Sequence, residues 1–199
     1  EIAVGRDCVP ARRHTVSAYS RIWDNNSGEM LKKPDWLRVR IGQGPETARV
    51  RGIVRSHRLH TVCEEALCPN IGTCWGNGRA TFLILGGTCT RACGFCNVSR
   101  RKPDLPDTDE PRRVAEAVKE TGLKDVVITS VTRDDQKDGG AGIWAKTIRR
   151  TRDKVPGIML EVLIPDFGGS KNDQETVFRE KPDVLGHNLE MVPSLYKKI

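Results

Sequence analysis

At 199 residues, with 37% hydrophobic and 30% charged residues and a mean hydropathy of −0.47, the chain is long enough for one domain with a real core and reads as a soluble globular protein. Its longest apolar runs, such as TFLILGG and DVVITSV, fall far short of a bilayer, and the start EIAVGRDCVPARRH has no apolar core segment, so neither a membrane span nor a secretory leader is expected. The formal charge of +7 is concentrated upstream: residues 1–60 hold 12 Lys/Arg against 6 Asp/Glu, and the rest of the chain is nearly balanced.

Residues 1–31 are polar and aperiodic and read as a flexible N-terminal extension. Residues 32–48, with Pro34, Gly42, Gly44 and Pro45, read as extended or turning chain, and 49–57 as a short helix. The first cysteine-bearing stretch is expected to be irregular, broken by Pro69 and Gly72, so that 32–79 forms an N-terminal cysteine-rich region. From residue 80 the pattern alternates. TFLIL (81–85) predicts a buried strand, and EPRRVAEAVKETG (110–122) an amphipathic helix with Val114, Ala117, Val118 and Thr121 on one face, Pro111 at its start and Gly122 at its stop. DVVITSV (125–131) predicts a second strand and 141–154 a second helix. A third strand falls in 157–167, a third helix in 172–181, a fourth strand in 183–188, and a fourth helix begins at 192.

Strand and helix thus repeat four times, which implies parallel strands wrapped by helices over 80–199. In such α/β folds the working loops sit at the carboxyl ends of the strands. Here those ends carry the cysteine loop, SVTRDDQKDGG, IPDFGG and GHNLE. Thr132, Arg133, Asp134, Pro165, Asp166, His187 and Asn188 are the candidates there for holding cofactor or substrate. The same residue types also serve simple turns, and a lone His187 is more often a hydrogen-bonded structural residue.

Six of the seven cysteines form two triplets. Cys63, Cys68 and Cys74 read C-x4-C-x5-C; Cys89, Cys93 and Cys96 read C-x3-C-x2-C on the loop after the first predicted strand. A closed structural zinc site wants four protein ligands, whereas each triplet offers three thiolates, which suggests two iron–sulfur clusters each with one iron left open. Clustered thiols rather than a scattered even number argue for metal ligation in a reducing compartment, cytoplasm or organelle matrix. Cys8 is left over.

The second triplet, with Phe95 before its last cysteine, resembles the signature of the radical S-adenosylmethionine superfamily. Both triplets together, within HTVCEEALCPNIGTCWGNGRATFLILGGTCTRACGFCNV (60–98), resemble the lipoyl synthases, as do KKPDWLR, DEPRRVAEAVKETGLKDVVITSVTRDD, DGGA, EVLIPDF and HNLEMVPSLY. The resemblance runs from about residue 32 to the end. It implies a partial (β/α) TIM-like barrel with about four of six βα units, two 4Fe–4S clusters and S-adenosylmethionine. Cys89, Cys93 and Cys96 would hold the cluster that binds S-adenosylmethionine, with Phe95 beside the cofactor. Cys63, Cys68 and Cys74 would hold an auxiliary cluster that is the sulfur source. The implied reaction inserts two sulfurs at C6 and C8 of an octanoyl-lysine on a lipoyl carrier (an H protein or E2 subunit), with ferredoxin or flavodoxin as electron donor and no nucleic acid or membrane as partner.

The family's auxiliary cluster takes a serine from an Arg-Ser-Ser-Tyr motif that this sequence lacks, so the chain is expected to lack a C-terminal part. The basic arm could serve nucleic acid, an anionic membrane or an acidic protein, or be simply solvated; its few aromatic residues disfavour base stacking. Arg49, Arg51, Arg55 and Arg58 are the expected face for an acidic carrier. Two other readings stay open: a non-catalytic iron–sulfur or zinc module, and a radical enzyme with a different substrate.

Overall fold

The computed structural model describes residues 21–23, 30–32 and 44–198. Two short strands, β1 (Arg21–Trp23) and β2 (Met30–Lys32), pair antiparallel within the unit Glu1–Arg40, correcting the reading of that stretch as wholly aperiodic. Three residues are too few for alternation to register in a sequence. Cys8 lies outside the described residues.

The larger unit, Ile41–Ile199, is built on a five-stranded sheet in the order β3 (His60–Thr61), β4 (Arg79–Ile84), β5 (Asp125–Ser130), β6 (Met159–Leu163), β7 (Val184–Gly186). β4 to β7 run parallel, as expected, and β3 adds an antiparallel margin. Register aligns the buried residues in rows: Ala80, Val126 and Leu160 form one, Phe82, Ile128 and Val162 the next. The class is α/β with an open sheet, and the barrel is not closed.

Helix α4 (Glu110–Thr121) buries Val114, Ala117, Val118 and Thr121, the stripe read from its period, and Gly122 stops it in the left-handed region at φ 63°. Helix α5 (Ala141–Lys154) seats Trp144 and Ile148 in the core. Helix α6 (Lys171–Phe178) begins at Ser170, whose hydroxyl accepts the Asp173 N–H. It ends sooner than expected, before the left-handed Lys181. The fourth helix is a 3-10 turn at Pro193–Lys198 instead.

The region before β4 holds the larger corrections. Helix α1 (Pro45–Ser56) starts at Pro45, not at residue 49, because proline in the first turn forfeits only an N–H that has no partner there anyway. The first cysteine stretch forms two short helices, α2 (Val62–Glu65) and α3 (Ile71–Gly76), the first capped by the Thr61 hydroxyl on the Glu64 N–H. Four and six residues show no periodicity, so the cap was the only available signal. Val50 and Val54 of α1 and Trp75 of α3 are fully buried and belong to the same core as the sheet. Among the described residues, no helix is long and apolar enough to cross a membrane.

One glycine is indispensable to this packing. Gly140, before α5, has φ 88°, and a Cβ there would lie 2.5 Å from Leu85 Cδ1. Gly140→Ala is expected to destabilise the fold by about 2–4 kcal/mol, combining left-handed strain with overpacking. Urea unfolding of the variant against the parent measures it.

Candidate active site

The site begins where β4 stops. Leu85 takes a left-handed φ of 67°, and the turn is held from three sides. Glu110 Oε2 accepts the Leu85 N–H at 2.7 Å and Oε1 the Gly86 N–H at 3.2 Å. The Leu85 carbonyl accepts Arg133 Nη1 at 3.2 Å. Burial pushes the Glu110 carboxyl above the ordinary range, and the two backbone N–H groups act against that shift.

Arg133 was expected to hold cofactor or substrate. Its side chain is only 2% exposed and is committed to structure: it donates to Asp104 O at 2.8 Å and forks onto Asp135 at 2.8 Å on both arms. That hydrogen-bonded guanidinium holds the Asp135 carboxyl down at about 2. Arginine at a strand end looks alike in sequence whether it turns outward to a ligand or inward to carbonyls.

From this turn the second cysteine loop runs out and back. Its base closes where Thr88 bridges Ser99 and the Cys89 N–H donates to Ser99 O at 2.9 Å. Its far part is pinned by Arg100 Nη2, which donates to Cys93 O at 2.6 Å and Cys96 O at 3.0 Å. Cys89 Sγ accepts two main-chain N–H groups, from Arg91 at 3.4 Å and from Thr132 at 3.3 Å.

Three of the strand-end candidates meet this loop. The Thr90 N–H donates to Thr132 O at 3.1 Å, and the Thr90 hydroxyl accepts the Asp134 N–H at 3.2 Å. Arg91 then grips two carboxylates at once. Its Nε and Nη2 reach Asp134 at 2.9 and 2.8 Å; its Nη1 and Nη2 reach Asp166 at 2.7 and 2.8 Å. The guanidinium holds both carboxyls below the ordinary 3.8. Sequence reasoning passed over Arg91 and Thr90, although both lie inside the quoted motif. A cation between ligand cysteines, with aspartates at the next two strand ends, was the available signal.

The remaining candidates stand apart from that network. Pro165 precedes the Asp166 turn. His187 Nδ1 bonds Ile164 O at 2.8 Å, and Asn188 donates to Glu190 at 2.8 Å. Phe95 is 58% exposed at the loop's tip.

The first triplet spans two helices and the turn between them. Cys63 lies on α2, Cys74 on α3, and Cys68 in the turn, where its N–H donates to Cys63 O at 3.1 Å. The two cysteine segments are joined by Asn97 Nδ2, which donates to Glu65 O at 2.7 Å. The Glu65 carboxylate in turn meets His60 Nδ1 at 3.1 Å, and His60 lies over Gly87, where an added Cβ would fall 2.7 Å from the ring.

All six of these thiols are free. Among the described residues no three His, Cys, Asp or Glu side chains converge as ligands of a single metal ion would. Thiolates bound to three different irons of a cubane need not converge on one point, and N–H donors on a ligand sulfur are a usual feature of such sites. The donor chemistry of the second loop therefore fits an iron–sulfur cluster.

A family model described as the radical SAM superfamily matches residues 83–199, which hold the loop, its three cysteines and all four parallel strand ends. The chain belongs to the radical SAM superfamily. Membership implies a 4Fe–4S cluster and S-adenosylmethionine. A second model, described as the N-terminal domain of lipoyl synthase of the radical SAM family, matches residues 8–68, so the likeness begins well upstream of residue 32. The chain is 50% identical over 169 residues to a lipoyl synthase of Chlorobaculum tepidum, covering 84% of this chain and 58% of that protein. It is 54% identical over 170 residues to one of Trichlorobacter lovleyi (85% and 60%) and 52% identical over 170 residues to one of Pseudomonas putida (85% and 50%). It thus spans between half and three-fifths of the length of these relatives.

Three of the four arginines of the basic face expected around α1 also form ion pairs within the chain. Arg49 pairs with Glu46 and donates to the Thr121 carbonyl at 2.7 Å. Arg51 and Arg55 share Glu64, and Arg51 also lies over the Trp75 ring at 5.8 Å. Of the four arginines named there, Arg58 alone has no ion pair among the described residues.

The pH behaviour of the site has opposite signs at its two carboxylate groups. Asp134 and Asp166 titrate lower folded than unfolded, so their contribution to stability is present above 3.8 and is lost as pH falls through their folded values. Glu110 titrates higher folded, so its contribution is present below 4.5 and is lost as pH rises through its folded value. Carbon-detected NMR titration should find the two aspartates below 3.8 and Glu110 above 4.5, and Arg91→Gln should raise the aspartates alone.

Proposed function

We propose that the protein containing this chain is a lipoyl synthase: it inserts two sulfur atoms, at C6 and C8, into an octanoyl group amide-linked to a lysine of a lipoyl carrier protein or domain. The observation that carries this reading is the pair of cysteine triplets set side by side on neighbouring segments and joined by Asn97. The likeness to lipoyl synthases over 84–85% of the chain supports it.

The two carbons bear no acidic proton, so a general base has nothing to act on. Hydrogen-atom abstraction is the available route, and it is what bound S-adenosylmethionine and a reduced cluster supply. The chain's own residues bind and orient. Cys89, Cys93 and Cys96 would ligate one cluster, and two of its irons' partners, Cys93 and Cys96, have their carbonyls fixed by Arg100. Cys63, Cys68 and Cys74 would ligate the auxiliary cluster, the source of the inserted sulfur. Thr132 and the strand ends around Asp134 and Asp166 form the rim beside the loop, where cofactor and alkyl chain must be aligned and water kept out.

Two S-adenosylmethionine molecules would serve each lipoyl group. The partners in this reading are an octanoylated carrier, such as an H protein or E2 subunit, and a one-electron donor of the ferredoxin or flavodoxin kind. Six free thiols fit a reducing compartment, the cytoplasm or an organelle matrix.

The test uses the full-length protein, reconstituted without oxygen. About eight irons per chain are expected if both clusters form. Alanine at Cys89, Cys93 and Cys96 should remove about four irons and abolish 5′-deoxyadenosine formation. Alanine at Cys63, Cys68 and Cys74 should remove about four, spare cofactor cleavage and abolish lipoyl formation on an octanoyl-lysyl peptide. Cofactor cleavage with no sulfur insertion by the unaltered protein would overturn the reading.

A further inference from the structure

Cys89 Sγ takes its two N–H donors from different segments, Arg91 in its own loop and Thr132 at the end of β5. The Arg91 bond is local to the loop, but the Thr132 bond persists only while the loop keeps its position against the end of β5. Thr90 supplies the neutral links between them: its N–H donates to Thr132 O at 3.1 Å, and its hydroxyl lies within 3.2 Å of Thr132 O and of the Asp134 N–H and carboxylate. The strongest link is the Arg91 guanidinium, which forks onto Asp134 after β5 and Asp166 after β6 with four charge-assisted hydrogen bonds of 2.7–2.9 Å. Its side chain is 36% exposed, so as an isolated surface ion pair it would add little to global stability. What a planar double fork supplies is geometry: it fixes the loop against two strand ends at once.

We propose that Arg91 is a positioning residue: by gripping Asp134 and Asp166 it holds the cysteine loop on the ends of β5 and β6, keeps the Thr132 N–H on the Cys89 sulfur, and so tunes the reduction potential of the cluster this loop would ligate. The last clause rests on the reading under Proposed function; the positioning role does not. Hydrogen bonds to a ligand sulfur draw charge from it and favour the reduced, more negative cluster. Loosening the clamp therefore lowers the potential and makes the first electron harder to deliver.

The test uses the full-length protein with Arg91→Ala, Arg91→Lys and, as a control on an exposed helical ion pair, Arg112→Ala. In the metal-free protein, amide hydrogen exchange over residues 89–99 and 131–134 should run about fivefold faster or more in Arg91→Ala, the range expected from losing a modest local interaction. Lysine, which can reach only one carboxylate at a time, should restore part of the protection, and Arg112→Ala should change nothing in these segments. Unchanged exchange in Arg91→Ala overturns the proposal. Should Arg91→Ala fail to fold by circular dichroism, Asp166→Asn, which weakens one side of the fork, must show the same local acceleration or the proposal falls.

The redox clause has its own measurement. After reconstitution, a titration followed by electron paramagnetic resonance should give a lower midpoint for Arg91→Ala than for the unaltered protein, and an equal midpoint overturns that clause. If the unaltered protein takes up no cluster at this loop, the functional reading fails, while the exchange result still decides the positioning role.

Discussion

The cysteine loop can be aimed only because the chain is turned at Leu85, and a buried carboxylate holds that turn. Glu110 is 4% exposed, and taking its charge out of water is costly; the raised pKa registers that cost. Two main-chain N–H groups and the nearby Arg113 charge offset part of it. A left-handed leucine adds about 1–2 kcal/mol of strain, and its side chain is accommodated by the bare backbone of Gly140. Helix α4, the end of β4 and the start of α5 are thus fastened at one point, and the ligand loop leaves from it.

The rim of the sheet shows a division of labour among charged groups that sequence alone cannot assign. Arg133 faces inward and builds the turn through the Leu85 and Asp104 carbonyls, while its partner Asp135 is exposed. Arg91, Asp134 and Asp166 lie nearer the surface and tie the loop to two strand ends. Arg100 secures the loop's tip through carbonyls. Three arginines therefore do separate tasks: Arg91 binds only carboxylates, Arg100 only main-chain oxygens, and Arg133 both.

Much of this architecture was legible from residues. The four parallel strands follow from short apolar runs, α4 from its spacing of Val114, Ala117 and Val118, and the place of the cysteine loop from the strand before it. The placement of Thr132, Asp134 and Asp166 beside that loop follows from the rule that strand ends carry function. What escaped notice is short or context-dependent. α2 and α3 are too brief to show a period, and Pro45 reads as a breaker until it is known to open a helix. Arg133 could not be told from a ligand-binding arginine, because the carbonyls it satisfies appear only once the chain is folded. The pairing of the α1 arginines with Glu64 and the Thr121 carbonyl was not legible either, because those partners lie on other elements.

Gly87 shows how tightly the two thiol triplets are geared together. The imidazole of His60 rests on its bare α-carbon, its Nδ1 engages Glu65, and the main chain of Glu65 receives the amide of Asn97, one residue past Cys96. A single methyl group at position 87 would push that ring aside and disturb its bond to Glu65, whose carbonyl holds Asn97 between the two sets. The spacing between them is thus governed by a hydrogen atom in place of a side chain.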